Sequence, residues 1–497
     1  MSLNRRHFLQ HAAFGVTAAA SLGKTEWVIG AQAPASKSPN EKIAVAFIGV
    51  NGRGKNHIEG LSGRSDIEVR YVCDADEEVG QSTALAIAKK YNVKPPQFAK
   101  DMRQVFDDPA VHAITTATPN HWHSLTAIWA MQAGKDVYVE KPVSHNVWEG
   151  RQAVNAARKH NRICQTGTQS RSSESLHEAV KYVQDGNLGA IQYAIGTCYK
   201  PRPTIGKLDK PLVIPKEIDY DLWCGPAAMV DLYRPKLHYD WHWDFNTGNG
   251  DLGNQGIHQM DIARWFLGEQ ELSPEIISFG GRLGYEDAGN TPNTQIILHK
   301  YAKAPLLFEV RGLPKSKEFQ DKGWKDNMDK YRGAGVGVIV QCEKGYIVIP
   351  SYTQATAYGS DDKEIKTWKS RGEEGHYENF LKAMRSRKVE DLNADILQGH
   401  LSSALCHTGN ISYQLGKKAT PHEIAQSLKG NELLAGSFDR MVEHLAANGV
   451  PVDQPILTRG ESLKMDGKAE KFIGNEAASQ RLSREYRKPY IVPEITV

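Results

Sequence analysis

The sequence predicts a doubly wound parallel α/β domain followed by an α+β domain built on a large, mainly antiparallel, open-faced sheet. Three observations carry this. From Lys42 to Gly167, short apolar runs alternate with stretches of helical period, as expected of parallel strands joined by right-handed helical crossovers. The first run ends in a glycine-rich turn, Gly49-Val50-Asn51-Gly52-Arg53-Gly54. Late in the chain the apolar residues recur with period 2 instead, the mark of antiparallel strands.

In the first half, Ile43–Ile48 and Ile67–Cys73 read as strands, with further strands over 111–117, 137–140 and 162–166. Helical patterns cover Glu77–Tyr91, 122–133 and 147–160. A proline-rich connection follows, with Pro201, Pro203, Pro211, Pro215 and Pro226. Strands are then expected at Thr294–His299, Leu306–Arg311, Val336–Cys342 and 346–350, and helices at 376–385 and 394–415. One face of this sheet is left for a ligand or a partner subunit.

The turn at Gly49 carries most of a dinucleotide fingerprint. Gly49 and Gly54 match its outer glycines, Asn51 stands at the middle one, and Gly52 and Arg53 complete the turn. Backbone N–H groups at the following helix start suit a pyrophosphate, which makes the first half a Rossmann domain. Asp74 follows the second strand, 25 residues past Gly49. A carboxylate there takes ribose hydroxyls and repels the extra phosphate of NADP, so NAD is the expected cofactor. Thr118-Pro119-Asn120, with His123 behind it, forms a lip at the end of the third strand. Glu140-Lys141-Pro142 closes the next one and aims Lys141 at whatever the cofactor reacts with. Gln169, shortly past the last strand of this half, is grouped with the substrate side.

The richest polar cluster lies in the second half. Tyr239, Trp241 and Trp243, interleaved with Asp240 and Asp244, resemble a sugar-binding wall. His258, with Asn254 about one helical turn before it and Asp251 nearby, offers an imidazole suited to taking a hydroxyl proton. No metal is expected: neither His238/His242 nor His400/His407 has a zincin's glutamate, and no cysteine joins them.

Bulk properties exclude several classes. A net charge of +3 over 497 residues leaves no footprint for nucleic acid, and the basic stretch 315–332 is interleaved with acids. The six cysteines (Cys73, Cys164, Cys198, Cys224, Cys342 and Cys406) are scattered, as befits buried thiols. No later apolar run approaches the ~20 residues of a membrane span. The first residues read as a twin-arginine signal: Asn4-Arg5-Arg6-His7-Phe8-Leu9, an alanine-rich stretch from Ala12 to Leu22, and small residues around Ala31. Pro34 obstructs a cut after Ala33, which favours cutting before Ser36. Export to the periplasm in folded form, through the twin-arginine machinery, is expected, with no stable membrane anchor. The organisation is therefore 1–35 signal, 36–41 linker, 42–167 nucleotide domain, 168–420 substrate and oligomerisation domain, and 421–497 tail.

The glycine turn, Asp74, Thr118-Pro119-Asn120, Glu140-Lys141-Pro142 and the Gly256–Asp261 segment together resemble the Gfo/Idh/MocA family over residues 42–417. The resemblance implies a bound nicotinamide exchanging hydride with a sugar, glycoside or cyclitol, and a homo-dimer or homo-tetramer formed through the sheet face. It places the family's lysine on Lys141 and its histidine on His258. The family's aspartate position holds Asn254, which cannot carry charge and so shifts acid–base work to Lys141 or Asp251. The last stretch, from Leu482 to Tyr490, is similar to the tail of exported members. Three functions follow: a carbohydrate dehydrogenase with tightly held cofactor, a glycosidase or lyase working by transient oxidation, and a nucleotide-bound sensor. Lys141 and His258 together favour the first two.

Overall fold

The computed structural model describes residues 42–372 and 374–497. The signal and linker expected over 1–41 lie outside the described residues.

The first half builds β1 (Ile43–Ile48), α1 (Gly54–Leu61), β2 (Ile67–Cys73), α2 (Glu77–Tyr91), β3 (Gln97–Ala99), α3 (Met102–Asp107), β4 (Ala113–Thr116), α4 (Asn120–Gln132), β5 (Asp136–Val139), α5 (Val147–Lys159) and β6 (Cys164–Thr166). The strands pair in parallel in the order β3-β2-β1-β4-β5-β6, so the chain reverses direction across the sheet between β1 and β4. Ligands of such sheets bind at that switch point. Side chains cap the helices locally: Asp76, Asp101 and Asn146 each accept a backbone N–H in the first turn of α2, α3 and α5. The three-residue β3 is an addition to the expected strands; it is too short to show a period.

The second half contains α6 (Glu174–Gln184), β7 (Ile191–Tyr199), α7 (Tyr220–Cys224), α8 (Ile257–Leu267), β8 (Glu275–Gly281), β9 (Thr294–His299), β10 (Leu306–Arg311), β11 (Val336–Cys342), β12 (Gly345–Ser351), β13 (Gln354–Gly359), β14 (Glu364–Lys369), α9 (Glu374–Ser386) and α10 (Ile396–Gln414). Next come β15 (Lys417–Ala419), α11 (Pro421–Ser427), α12 (Glu432–Ala447), β16 (Leu457–Arg459), β17 (Leu463–Asp466), β18 (Lys471–Ile473) and α13 (Glu476–Gln480). The strands form one sheet, β14-β13-β12-β11-β7-β10-β9-β8-β16-β15, with β17 also on β8. Every pair is antiparallel except β7 with β10.

Two expectations change. Alternate residues of β9 and β10 serve opposite faces: Ile297, Leu306 and Phe308 join the core under α8 and α10, while Ile296, Leu298 and Leu307 pack with Leu434, Phe438 and Met441 of α12. That part of the sheet is thus covered on both sides, and the surface expected to receive a partner subunit is occupied there by the chain itself. The stretch 421–497 is correspondingly more than a tail. It supplies α11, α12 and three strands, and its last residues, Tyr490, Val492 and Ile495, enter the core of the nucleotide domain. Helix α9 also crosses back, with Phe380, Leu381 and Met384 packed on Phe47 and Tyr138.

Candidate active site

A cleft of about 590 Å³ runs from the glycine turn to the junction with the second half. Gly49 adopts φ +75°, and a Cβ there would lie 2.7 Å from the Thr118 backbone nitrogen, so only glycine lets the turn approach the β4 loop. Asn51, Gly52 and Arg53 line the cleft. Gly54 does not; its absent Cβ would stand 2.1 Å from the Gly49 carbonyl oxygen, so it serves the contact between α1 and the turn. Nothing lies within 4 Å of a Cβ built on Gly52. The cradle and the unsatisfied N–H groups of a helix start fit a dinucleotide pyrophosphate.

Asp74 lines the same end. Its carboxylate accepts from the Val50 N–H at 2.9 Å and the Asp76 N–H at 3.1 Å, so it fixes the glycine turn as well as facing the ribose position. Burial pushes this carboxyl up, against the pull of those two amides. Thr118, Pro119 and Asn120 form the expected lip. His123 is a brace between loops: its ring nitrogens meet the Thr118 and Pro142 carbonyls, which leaves neither free for a ligand.

Glu140 is buried and satisfied from three sides, by Arg53 Nε at 3.0 Å, His57 Nε2 at 3.1 Å and Gln169 Nε2 at 3.1 Å. Burial would raise its carboxyl, but the His57 bond and the Arg53 and Lys141 charges hold it well below the usual range. It is therefore the anchor that orients Arg53 and Gln169. The Lys141–Pro142 peptide is cis. Lys141 Nζ donates to the Asn254 carbonyl, across the boundary between the halves. Burial lowers this ammonium to about 8, with Glu140 opposing and Arg53 and Lys200 assisting.

The segment bearing His258 starts as a π-helical turn, Leu252–Gly256, that runs directly into α8. Asn254 and His258 both line the cleft, as does Lys141. His258 is buried, and its Nδ1 has no hydrogen-bond partner among the described residues. Burial first, then the Lys141 charge, drives its pKa well below 6.5, so the imidazole is neutral and able to accept. The cleft end thus holds an ammonium of lowered pKa beside an orphaned imidazole nitrogen, a pair suited to moving a hydroxyl proton.

Besides Gly54, two expected residues lie elsewhere. Asp251 is buried in a bidentate pair with Arg202, at 2.8 Å from Nε and 2.6 Å from Nη2, and does not line the cleft. Trp243 is 5% exposed, under the Arg202 guanidinium at 4.9 Å, so it packs rather than binds. Tyr239 and Trp241 do line the cleft. Several lining residues lacked a local sequence signal: Lys200 at the end of β7, Gln255 in the π turn, and Tyr352 between β12 and β13. Tyr352 lies 4.9 Å from His258, ring to ring.

A roof laid by the connection after β7 covers the adenosine side. Asp219 N–H donates to Ala75 O at 3.0 Å, and His238 pairs with Asp76 at 3.0 Å. Leu222, Trp223 and His242 thereby face the cleft. The segment 482–497 straps this roof to α4 and α5. Arg487 bonds Asp221 and the Gly225 carbonyl, and Arg484 bonds Asn246. Tyr490 lies against Trp122 at 5.4 Å.

Comparison with known proteins accords with this geometry. One family model, "Oxidoreductase family, NAD-binding Rossmann fold", matches residues 43–168, and its companion, "Oxidoreductase family, C-terminal alpha/beta domain", matches 191–305. Residues 43–168 thus match the NAD-binding domain of the Gfo/Idh/MocA oxidoreductases, and residues 191–305 their C-terminal domain. Among relatives, levoglucosan dehydrogenase of Pseudarthrobacter phenanthrenivorans is 27% identical over 179 residues, 36% of this chain and 38% of the relative. The alpha-N-acetylgalactosaminidase of Shewanella oneidensis is 28% identical over 183 residues, 33% of this chain and 39% of the relative. The matched part therefore spans well under half of either relative. Levoglucosan dehydrogenase in complex with NADH and levoglucosan shares the fold at TM-score 0.54 and 17% identity, covering 83% of this chain and all of that one. The WlbA dehydrogenase of Bordetella pertussis, in complex with NADH and UDP-GlcNAcA, does so at TM-score 0.53 and 18% identity, over 73% and 94%.

Proposed function

We propose that this protein is an NAD-dependent oxidoreductase acting on a CH–OH group of a sugar, glycoside or cyclitol, with the nucleotide retained beneath the roof. The observation that carries this is the meeting of Lys141, from the end of β5, with His258, from the start of α8, at one end of the dinucleotide cleft. The nicotinamide supplies the hydride acceptor. His258 Nδ1 receives the hydroxyl proton, and Lys141, poised near neutrality, exchanges it onward. Lys141 is held by the backbone carbonyl of residue 254, which leaves the Asn254 side chain to hydrogen-bond a hydroxyl without carrying charge. Trp241 and Tyr239 offer aromatic faces to sugar C–H surfaces. The test is to denature the purified protein, identify any released nucleotide and its redox state, and screen glycosides for reduction of the bound form. Protein that carries no dinucleotide and takes none up would refute the reading.

A redox-neutral glycosidase or lyase is the second reading, favoured by relatives named as glycosidases. In it the same pair would take the hydroxyl proton and then the proton of a neighbouring C–H as the C–O bond to the leaving group breaks, with water adding in its place in the glycosidase case, and a bound nicotinamide would supply the transient oxidation. Release of aglycone without accumulating NADH separates the two. The reading includes export in folded form: Arg5→Lys with Arg6→Lys should leave the protein in the cytoplasm, and N-terminal sequencing of exported material should begin at Ser36.

A further inference from the structure

The substrate end of the cleft carries positive charge that the chain does not balance. Three carboxylates line the cleft, Asp74, Asp101 and Glu140. Asp74 is engaged by two backbone amides, Asp101 is paired with Arg103, and Glu140 is held by Arg53, His57 and Gln169. None is left for Lys141 or Lys200, and neither lysine makes an ion pair among the described residues. Lys141 is half-buried and bound to a backbone carbonyl, which holds the proton-exchanging group in place. Lys200 is different. It projects from the end of β7, is likewise half-buried, and its Nζ contacts only a side-chain amide oxygen, Gln255 Oε1, at 3.2 Å. Gln255 is held in turn by the Tyr352 hydroxyl at 2.6 Å, so the ammonium is presented at a fixed point on the wall beside His258. Its charge is felt at both reacting groups, where it lowers the proton affinity of Lys141 and of His258.

An ammonium aimed into a partly desolvated cleft with only an amide for company is poorly satisfied. One negative charge placed there would satisfy it. We propose that Lys200, steadied by Gln255, is the specificity residue that selects sugars bearing a singly charged acid group, a carboxylate or a sulfate ester. A single lysine without an arginine fork or a second ammonium beside it suits one negative charge rather than a phosphate dianion. The proposal rests on the oxidoreductase reading and names its substrate class.

The test uses the full nucleotide-loaded protein. Methyl glucuronides, methyl galacturonides, the 6-sulfates of methyl glucoside and methyl galactoside, and the neutral methyl glycosides are compared by kcat/KM for reduction of the bound nucleotide. Wild type should prefer acidic over neutral members by about 10- to 100-fold, and this preference should shrink with added salt. Lys200→Met should abolish the preference and Lys200→Arg should restore most of it; Lys200→Gln replaces the methionine variant if that fails to fold. Better turnover of uronides than sulfates, or the reverse, identifies the acid group. Equal turnover of acidic and neutral sugars by wild type overturns the proposal and leaves the oxidoreductase reading standing, as does a Lys200→Met variant that loses both in the same proportion. If no sugar reduces the nucleotide, that reading fails, and calorimetric titration with methyl glucuronide decides the Lys200 site separately. Binding by wild type and its loss in Lys200→Met supports the site, and no binding by wild type refutes it.

Discussion

Replacing Lys141 by methionine should make the protein more stable near neutral pH while stopping its chemistry. Burial lowers the folded-state pKa of Lys141 from 10.5 to about 8, a displacement equivalent to about 3 kcal/mol of penalty on the charged form. The unfolded chain holds this proton more tightly, so between pH 8 and 10.5 unfolding takes up protons and stability rises with pH. Below pH 8 both states are protonated and the penalty is felt in full; above 10.5 it is gone. Methionine fills a similar volume without charge, at the loss of the bond to the Asn254 carbonyl, about 1 kcal/mol. The net gain at pH 7 is about 2 kcal/mol. Urea unfolding of both forms, stripped of nucleotide and followed by tryptophan fluorescence at pH 7 and again near 10.5, measures it, and the advantage should disappear at the higher pH. In turnover, about one Lys141 in ten is neutral at pH 7, and most are by pH 9, so the wild-type rate should climb through that interval. A methionine variant less stable than wild type at pH 7, or equal pH slopes for the two, would refute the desolvation argument.

Asp251→Asn should cost about 3–5 kcal/mol of stability by leaving the buried Arg202 uncompensated; loss of turnover at unchanged urea midpoint would instead restore Asp251 to the chemistry. His258→Asn should lower kcat by about 10²–10⁴ with nucleotide content of the purified protein unchanged. Arg484→Ala combined with Arg487→Ala frees the roof from its strap. It should speed nucleotide release on the order of 10-fold, read by dilution into a nucleotide-scavenging enzyme, with little change in turnover at saturating nucleotide.

What could be read from the chain follows which signals are local. Ile43–Ile48 is buried along its whole length, so it appears as an unbroken apolar run, and Gly49 and Lys141 are placed by the strand ends beside them. The site fails to show itself where partners come from far away. Asp251 looks like a free acid until Arg202, 49 residues earlier, is seen to clasp it. Trp241 and Trp243 are alike in sequence, yet one faces the cleft and the other lies beneath Arg202. Lys200 and Tyr352 reach the site only through the register of β7 and the turn after β12. Ile296-Ile297-Leu298 and Leu306-Leu307-Phe308 are apolar at consecutive positions, which marks strands covered on both faces, as β9 and β10 are.

Residues 482–497 leave the ribosome after every element they fasten. Without them, Asp221, Gly225 and Asn246 lack the arginine contacts that tie the roof down. The closure over the cleft is thus secured by the region of the sequence farthest from the glycine turn it guards.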